Sequence, residues 1–367
     1  MRSPRVALVA TLLFAATLVP AGCGGSDDDG SGGSSTAENR PAPAVSDFPS
    51  AKGKTLSQVL ETADGSAEEK GIVVSPSAMV FNPGPSRYGF GVFTTGREPI
   101  NDADVALYLA RVPASESTVI PKGDQSGVEG PDSPPPPEKK DLASALDQKA
   151  VGPFPAEVQS LTTEPAFRAQ TTTDDPDAAT AVYTTDVDFP AKGEWRVAAL
   201  LNVDGQTRAT LLPSVVVGQF GQVPQAGDRP PRIHTPTVDE VGGDLASIDT
   251  RIPPDTQHEV DFADVLGKQP VVLLFATPQF CQSRVCGPVV DEAEQLKEKY
   301  GDEVAFIHME IWKDNDPSKG ARPQVQAFHL PSEPWLYVID KNGIISTAIE
   351  GAFGLDELDR AIQKVAG

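Results

Sequence analysis

Residues 270–289 read PVVLLFATPQFCQSRVCGPV, and the two halves of this stretch decide what the C-terminal part of the chain can fold into. Pro270 to Thr277 is a continuous apolar, β-branched run, the composition of a strand covered on both faces. Gly287 and Pro288 suit a helix opening, because a proline in the first turn gives up no helical hydrogen bond. Val289, Ala293, Leu296 and Tyr300 then recur at intervals of four, three and four, the stripe of an amphipathic helix. Cys281 and Cys286 therefore fall in a strand-to-helix connection. Downstream, Glu303–Ile311, Pro334–Asp340 and Ile344–Glu350 read as strands, with Lys341-Asn342-Gly343 turning the chain between the last two. Leu355, Leu358, Ile362 and Val365 stripe a closing helix. Strand, helix, strand, hairpin and helix make an α/β arrangement with a mixed sheet.

Upstream the pattern changes. From Asp47 to Phe220, short alternating segments are separated by turn residues. Arg87–Thr95, Asp104–Val112 and Ala181–Phe189 read as strands, the last with Ala181, Tyr183, Thr185, Val187 and Phe189 on one face. In GEWRVAALLNVDGQTRATLL, Trp195, Val197, Ala199, Leu201 and Val203 alternate inward, and Asp204-Gly205 supply the positive φ angles of a tight hairpin. These features predict an N-terminal all-β, immunoglobulin-like sandwich over 47–220. Within it, 113–177 holds PDSPPPPEKK and TTTDDPD. Its proline content argues against regular sheet and for an exposed insertion, with a short helix near Lys140–Lys149. The Pro- and Gly-rich stretch 221–257 reads as a linker to a C-terminal domain over 258–367.

A length of 367 residues suits more than one domain, so a multidomain chain is expected. Thirty Lys and Arg against 52 Asp and Glu, a formal charge of −22, argue against nucleic acid and against basic-patch binding to anionic membranes. The N-terminus carries Arg2 and Arg5 and then an apolar run, Val6–Val19, ending at small residues before Cys23. That run is shorter than the roughly 20 residues that span a bilayer, so 1–22 reads as a signal peptide. LVPAGC resembles a bacterial lipobox, with Pro20 where Leu is usual, which makes Cys23 the expected lipidated N-terminus. The Gly, Ser and Asp tract that follows fits a flexible tether over 23–46. The expected location is the outer face of the cell membrane, through the lipid on Cys23.

With Cys23 acylated, Cys281 and Cys286 remain as a pair. From about Asp261 onward the order of elements, the CGPV at Cys286–Val289, and PSEPWLYVIDKNG at 331–343 resemble the thioredoxin-like superfamily, especially its membrane-tethered extracytoplasmic members. The resemblance implies a thioredoxin-like domain, thiol–disulfide exchange with the thiols or disulfides of other exported proteins, and a catalytic set of Cys286, Cys281 and Pro334. Pro334 would be the cis-proline packed against the sulfurs. The chain departs from the pattern in spacing the cysteines CX4C and placing Val289 where a second cysteine is usual. Leu274 stands where a buried acid is common, and Phe280 where a tryptophan precedes the first cysteine.

Three readings of the pair stand side by side: redox-active dithiol, permanent staple, and copper site. A helix N-terminus stabilises thiolate, which favours Cys286 as nucleophile and Cys281 as its resolving partner, with Arg284 adding positive charge; the reverse order stays open. A disulfide closing so short a loop contributes roughly 2 kcal/mol, and the chain would then be a non-catalytic interaction lipoprotein. Two thiolates and a remote histidine would resemble Sco-type copper chaperones. Of the histidines, His329 lies nearest the expected site in sequence and still reads as a surface residue. His308 reads as a packed strand residue, and Met309 as core on the opposite face. His234 and His258 lie in linker-like sequence and carry no signal. Asp314 and Asp316 lack the spacing of a calcium loop. No phosphate-binding glycine loop, nucleophile elbow or zinc spacing occurs, so no cofactor is expected, and the sequence sets no oligomeric state.

Overall fold

A computed structural model describes residues 37–114, 117 and 143–367. Cys23, the stretch expected as a signal peptide and the PDSPPPPEKK run lie outside the described residues. Among the described residues, nine strands build the N-terminal part: β1 Gly65–Ser66, β2 Ile72–Pro76, β3 Gly84–Thr94, β4 Asp104–Arg111, β5 Ala150–Pro155, β6 Glu157–Ser160, β7 Ala181–Phe189, β8 Gly193–Val203 and β9 Gln206–Val217. They form a five-stranded sheet in the order β1-β9-β8-β4-β5 and a four-stranded sheet in the order β2-β3-β7-β6. The two sheets share one apolar core. Trp195, Val197, Ala199 and Leu201 of β8 and Val105, Leu107 and Leu109 of β4 meet Tyr88 and Phe90 of β3 and Tyr183, Val187 and Phe189 of β7. Phe189 packs edge-on to Trp195 at 5.9 Å, an aromatic pair across the sheets. Asp204 and Gly205 both take positive φ, 51° and 71°, which matches the right-handed twist of the β8–β9 hairpin they join.

The outer face of β4 and β8 is covered too. Ala106, Tyr108, Ala110, Ala198 and Leu200 pack against Phe48, Ala51, Leu56 and Val59. The short helix Leu56–Leu60 that carries two of these begins at a reciprocal cap, Thr55 with Gln58.

The expectation that 113–177 avoids regular sheet is corrected in its described portion. β5 pairs with β4, and β6 with β7. Both lie at the edges of their sheets, where a proline without an N–H, such as Pro153 or Pro155, breaks no ladder.

Four further strands form the C-terminal sheet: β10 Val271–Ala276, β11 Ala305–Glu310, β12 Trp335–Ile339 and β13 Ile345–Glu350. Their order is β11-β10-β12-β13, with β11 parallel to β10 and the other two pairings antiparallel. The helix Cys286–Tyr300 and the C-terminal helix Leu355–Gln363 cover one face through Val289, Val290, Ala293, Leu358 and Ile362. Phe262, Val325, Phe328 and Trp312 cover the other. Burial on both faces is why β10 reads as an unbroken apolar run. No helix among the described residues is long and apolar enough to cross a membrane.

The sandwich and the C-terminal sheet lie in one compact unit with shared apolar contacts. Leu161 and Val182 join the same cluster as Cys281, Cys286 and Val289. Arg87 of β3 grips Glu357 with Nε at 2.6 Å and Nη2 at 2.8 Å, and Nη2 also donates to the Ala352 carbonyl. The buried Glu350 carboxylate accepts the Met79 and Val80 amides. Residues 221–257, expected as a linker, are laid against the C-terminal sheet with Thr235, Asp249, Thr250, Asp255 and Gln257 buried.

Candidate active site

β10 ends at Ala276, and the helix opens at Cys286. The loop between them is held by Phe280 N–H to the Thr277 carbonyl and by Gln279 N–H to Thr250 Oγ1. It turns sharply at Arg284, whose φ is 61°. The turn brings the Cys281 sulfur back over the helix mouth, where it accepts the Cys286 N–H at 3.3 Å and lies 3.2 Å from Ser283 Oγ. Cys281 thus caps the helix through its sulfur, which suits negative charge.

Burial pushes the Cys281 thiol up, and hydrogen bonds from the Cys286 thiol, the Ser283 hydroxyl and the Cys286 and Val285 amides more than offset it, bringing it down to about 6. Cys286 goes the other way. Burial first, and then its bond to Cys281 and the charges of Cys281 and Glu333, push its thiol well above the ordinary range. Where the sequence favoured Cys286 for the thiolate and left the reverse order open, the geometry favours the reverse: as the first helical residue Cys286 donates its backbone N–H to Cys281, so the field of the helix end acts on Cys281. Cys281 is 7% exposed, while Cys286 is fully buried. Arg284 does not add the charge expected of it, since its guanidinium pairs with Asp175 at 2.9 Å.

The Glu333–Pro334 peptide is cis, as the resemblance implied for Pro334. Glu333, in the same turn, is a functional candidate that the sequence reading missed. One of its carboxylate oxygens lies within 4.8 Å of both sulfurs, and Oε2 is buried without a hydrogen-bond partner. Burial, followed by the charges of Cys281 and Glu310, pushes its carboxyl up to about 9. Leu274 left the first core strand without an acid; the acid comes instead from the neighbouring loop. The signal available was its place directly before the expected cis-proline.

A cleft of about 370 Å³ opens beside Cys281. One wall is the loop and helix start, through Pro278, Arg284 and Pro288; the other is the segment 171–178 of the sandwich, including Asp174 and Asp175. Thr172 comes so close to the helix that a Cβ on Gly287 would sit 2.8 Å from its Oγ1. Phe280 stands exposed next to Cys281. Of the remaining candidates, His329 is exposed and Met309 is core. His234 pairs with Asp261 at 2.9 Å on the surface. His308 is buried and hydrogen-bonded, and His258, read as linker sequence, is buried beside it. Two sulfurs of unequal acidity and a protonated carboxyl around them can exchange disulfides; two sulfurs and a carboxylate can also hold a soft cation.

No family model and no curated protein matches this chain. Among solved structures, a thiol:disulfide interchange protein DsbE from Chlorobium tepidum matches at 17% identity and a TM-score of 0.29, over 39% of this chain and 99% of the other. A thiol:disulfide interchange protein of the thioredoxin family from Chlorobium tepidum TLS matches at 17% identity and a TM-score of 0.28, over 38% and 97%. The PmoD soluble domain from Methylocystis sp. ATCC 49242 (Rockwell) matches at 12% identity and 0.18, over 40% and 90%. By its sheet order and strand directions, with the dithiol at the junction of central strand and helix and the cis-proline in the loop before β12, the C-terminal part of this chain has a thioredoxin-like fold.

Proposed function

We propose that this chain is a thiol–disulfide oxidoreductase of the extracytoplasmic space, held to the membrane by a lipid on Cys23 and acting on exported proteins. The observation that carries the reading is the division of labour between the sulfurs: Cys281 capping the helix with its acidity raised, Cys286 buried and protonated behind it. In the reducing direction, the Cys281 thiolate attacks one sulfur of a substrate disulfide. An S–S bond to Cys281 forms, and the substrate's other sulfur leaves as a thiolate. Cys286 then loses its proton and attacks Cys281, closing the Cys281–Cys286 disulfide and releasing the second substrate thiol; the two electrons pass from the dithiol to the substrate. Oxidation of a substrate dithiol runs the same steps backwards.

Glu333 is the group placed to take the Cys286 proton. While Cys281 is a thiolate, its charge helps keep Glu333 protonated. Once the mixed disulfide removes that charge, the carboxyl becomes more acidic and passes its proton to the departing substrate thiolate, and the resulting carboxylate can take the Cys286 proton when the second attack needs it. Pro334 shapes the groove beside Cys281. The sandwich, which we read as immunoglobulin-like, supplies the opposite wall through 171–178.

The test is to trap the intermediate. Cys286→Ser should accumulate mixed disulfides through Cys281, and Cys281→Ser should not. A pair whose reduction potential lies well below about −300 mV, with no trapping by either variant, would make it a structural bridge. The nearness of both sulfurs to Glu333 keeps a Sco-like copper reading in play; stoichiometric copper(I) uptake lost in Cys281→Ser, without exchange activity, would favour it.

A further inference from the structure

Behind the active-site loop, on the far side of Ala276, four titratable side chains meet away from solvent. Asp249 and Asp255 come from the segment laid along the sheet, His258 from its end, and His308 from β11. All are 3% exposed or less. The segment is fixed there by the His308 N–H donating to the Gln257 carbonyl at 3.0 Å, which covers the free edge of β11.

The ring nitrogens face the carboxylates. His258 Nε2 lies 3.5 Å from Asp249 Oδ2 and 3.4 Å from Asp255 Oδ1. His308 Nδ1 lies 3.7 Å from Asp249 Oδ1 and 2.8 Å from Asp255 Oδ2. One donor atom from each residue falls within 4.8 Å of all the others. A tetrahedral Zn²⁺ with bonds of about 2.0–2.1 Å sets its ligand atoms about 3.3–3.4 Å apart; the four nitrogen–oxygen separations, 2.8 to 3.7 Å, bracket that spacing but run to both oxygens of each Asp, so each carboxylate must turn to present a single oxygen to the ion.

Two further observations point the same way. His258 Nε2 is buried and has no hydrogen-bond partner, an orphan aimed at two carboxylates. The outer contacts are those that orient metal ligands. His308 Nε2 lies 3.1 Å from the Ala276 carbonyl, which turns Nδ1 towards the cluster. Asp249 accepts the Arg251 and Asp255 amides, and Asp255 accepts the Gln257 amide. Burial pushes the His308 imidazole down, and Asp255 and Asp249 more than offset it, raising it to about 10, so a metal must displace its proton; the two carboxylates with two neutral imidazoles then carry a buried charge of −2, which one divalent cation cancels.

We propose that Asp249, Asp255, His258 and His308 bind one divalent transition-metal ion, of which Zn²⁺ is the best fit, as a structural site that fastens this segment to β11 and to the Ala276 end of the active-site strand. Zinc spacing was not visible in the sequence because three ligands lie in a Pro- and Gly-rich segment and the fourth lies fifty residues on, in a strand.

The proposal is independent of the thiol chemistry, so the test removes the thiols. The untagged full chain with Cys23→Ser, Cys281→Ser and Cys286→Ser is stripped with chelator, titrated with ZnCl2, and assayed for bound metal by mass spectrometry after dialysis. One equivalent is expected, with a rise in thermal midpoint, and His258→Gln in that background should weaken binding by about a hundredfold or more. Less than one equivalent, or binding kept by His258→Gln and lost in His234→Ala, would overturn it: the first would mean an ion-paired cluster held by protons alone, the second a surface site. Should His258→Gln fail to fold, Co²⁺ added to the thiol-free chain decides. A tetrahedral nitrogen–oxygen spectrum supports the site, and an octahedral or absent spectrum refutes it.

Discussion

The acidity of Cys281 is open to direct measurement, and its size can be worked out beforehand. A midpoint near 6 against an ordinary thiol near 9 is three units, roughly 4 kcal/mol of preference for thiolate. Because the folded value is depressed, the whole of that stabilisation of the reduced protein is present above pH 9 and is lost as pH falls towards 6. At pH 7 it has shrunk to about a tenfold factor, roughly 1.4 kcal/mol or 30 mV of potential. Alkylation with iodoacetamide reads the same quantity. At pH 7 about nine-tenths of Cys281 is thiolate, about 90 times more than for an ordinary thiol, but the lower intrinsic nucleophilicity of an acidic thiol returns a factor of about 20, leaving a net gain of only about fivefold. At pH 5 the net gain is about fortyfold, so the acid side is decisive. The expected profile has its midpoint near pH 6, with label on Cys281 found by peptide mapping. Ser283→Ala, which removes one hydrogen bond to the sulfur, should raise the midpoint by about one unit or more. A midpoint above pH 8, or label on Cys286, would refute the assignment.

Three other outcomes follow from the same geometry. The reduction potential should fall by about 30 mV per pH unit above pH 6, where one proton accompanies the two electrons, and by about 59 mV per unit below it, where two do; one slope throughout would contradict unequal sulfurs. Glu333→Gln should leave the Cys281 alkylation midpoint near 6 while slowing release of substrate from the mixed disulfide by about a hundredfold, as quenched-flow trapping would record, because it removes the proton acceptor and not the helix cap. Arg87→Ala deletes a two-pronged grip on Glu357 and a bond to the Ala352 carbonyl in a half-buried setting, and should cost about 3 kcal/mol in urea unfolding; a loss below about 0.5 kcal/mol would mean that the apolar contacts alone hold the two parts together.

What could be read from the sequence was whatever repeats with a period. Trp195, Val197, Ala199 and Leu201 alternate because one face of β8 lies in the core between the sheets, while Ala198 and Leu200 pack on its other side; Asp204-Gly205 mark a tight hairpin that needs positive φ; and β10 is apolar throughout because helices lie on one side of it and Phe262 and Phe328 on the other. Pro334 was legible through its neighbours. The residues that tune the chemistry follow no period. Which sulfur is acidic depends on the reversal at Arg284, a backbone angle that a charged residue does not advertise. Glu333 sits beside the expected cis-proline, but nothing periodic marks its side chain as facing the sulfurs, and the Asp249–Asp255 pair lies in a segment whose prolines and glycines read as a linker. Composition reports how readily a segment forms helix or sheet and says little about whether it is packed; an irregular segment can be buried wherever its polar groups find partners, as the Thr250 and Asp255 amides do in Glu310 and Asp249.

The same point bears on how the two parts work together. The segment 171–178, almost all of it within what reads as an exposed insertion, forms the wall facing Cys281, and its Asp175 takes the charge of Arg284 away from the sulfur. With Arg284 so neutralised, the acidity of Cys281 rests on the helix end, the Ser283 hydroxyl and the Cys286 thiol, which belong to the thioredoxin-like part alone. Access to Cys281 rests on the wall, which belongs to the sandwich. Acidity and access are therefore set by different parts of the chain, and a substitution in 171–178 should change which substrates react without moving the midpoint at which Cys281 ionises.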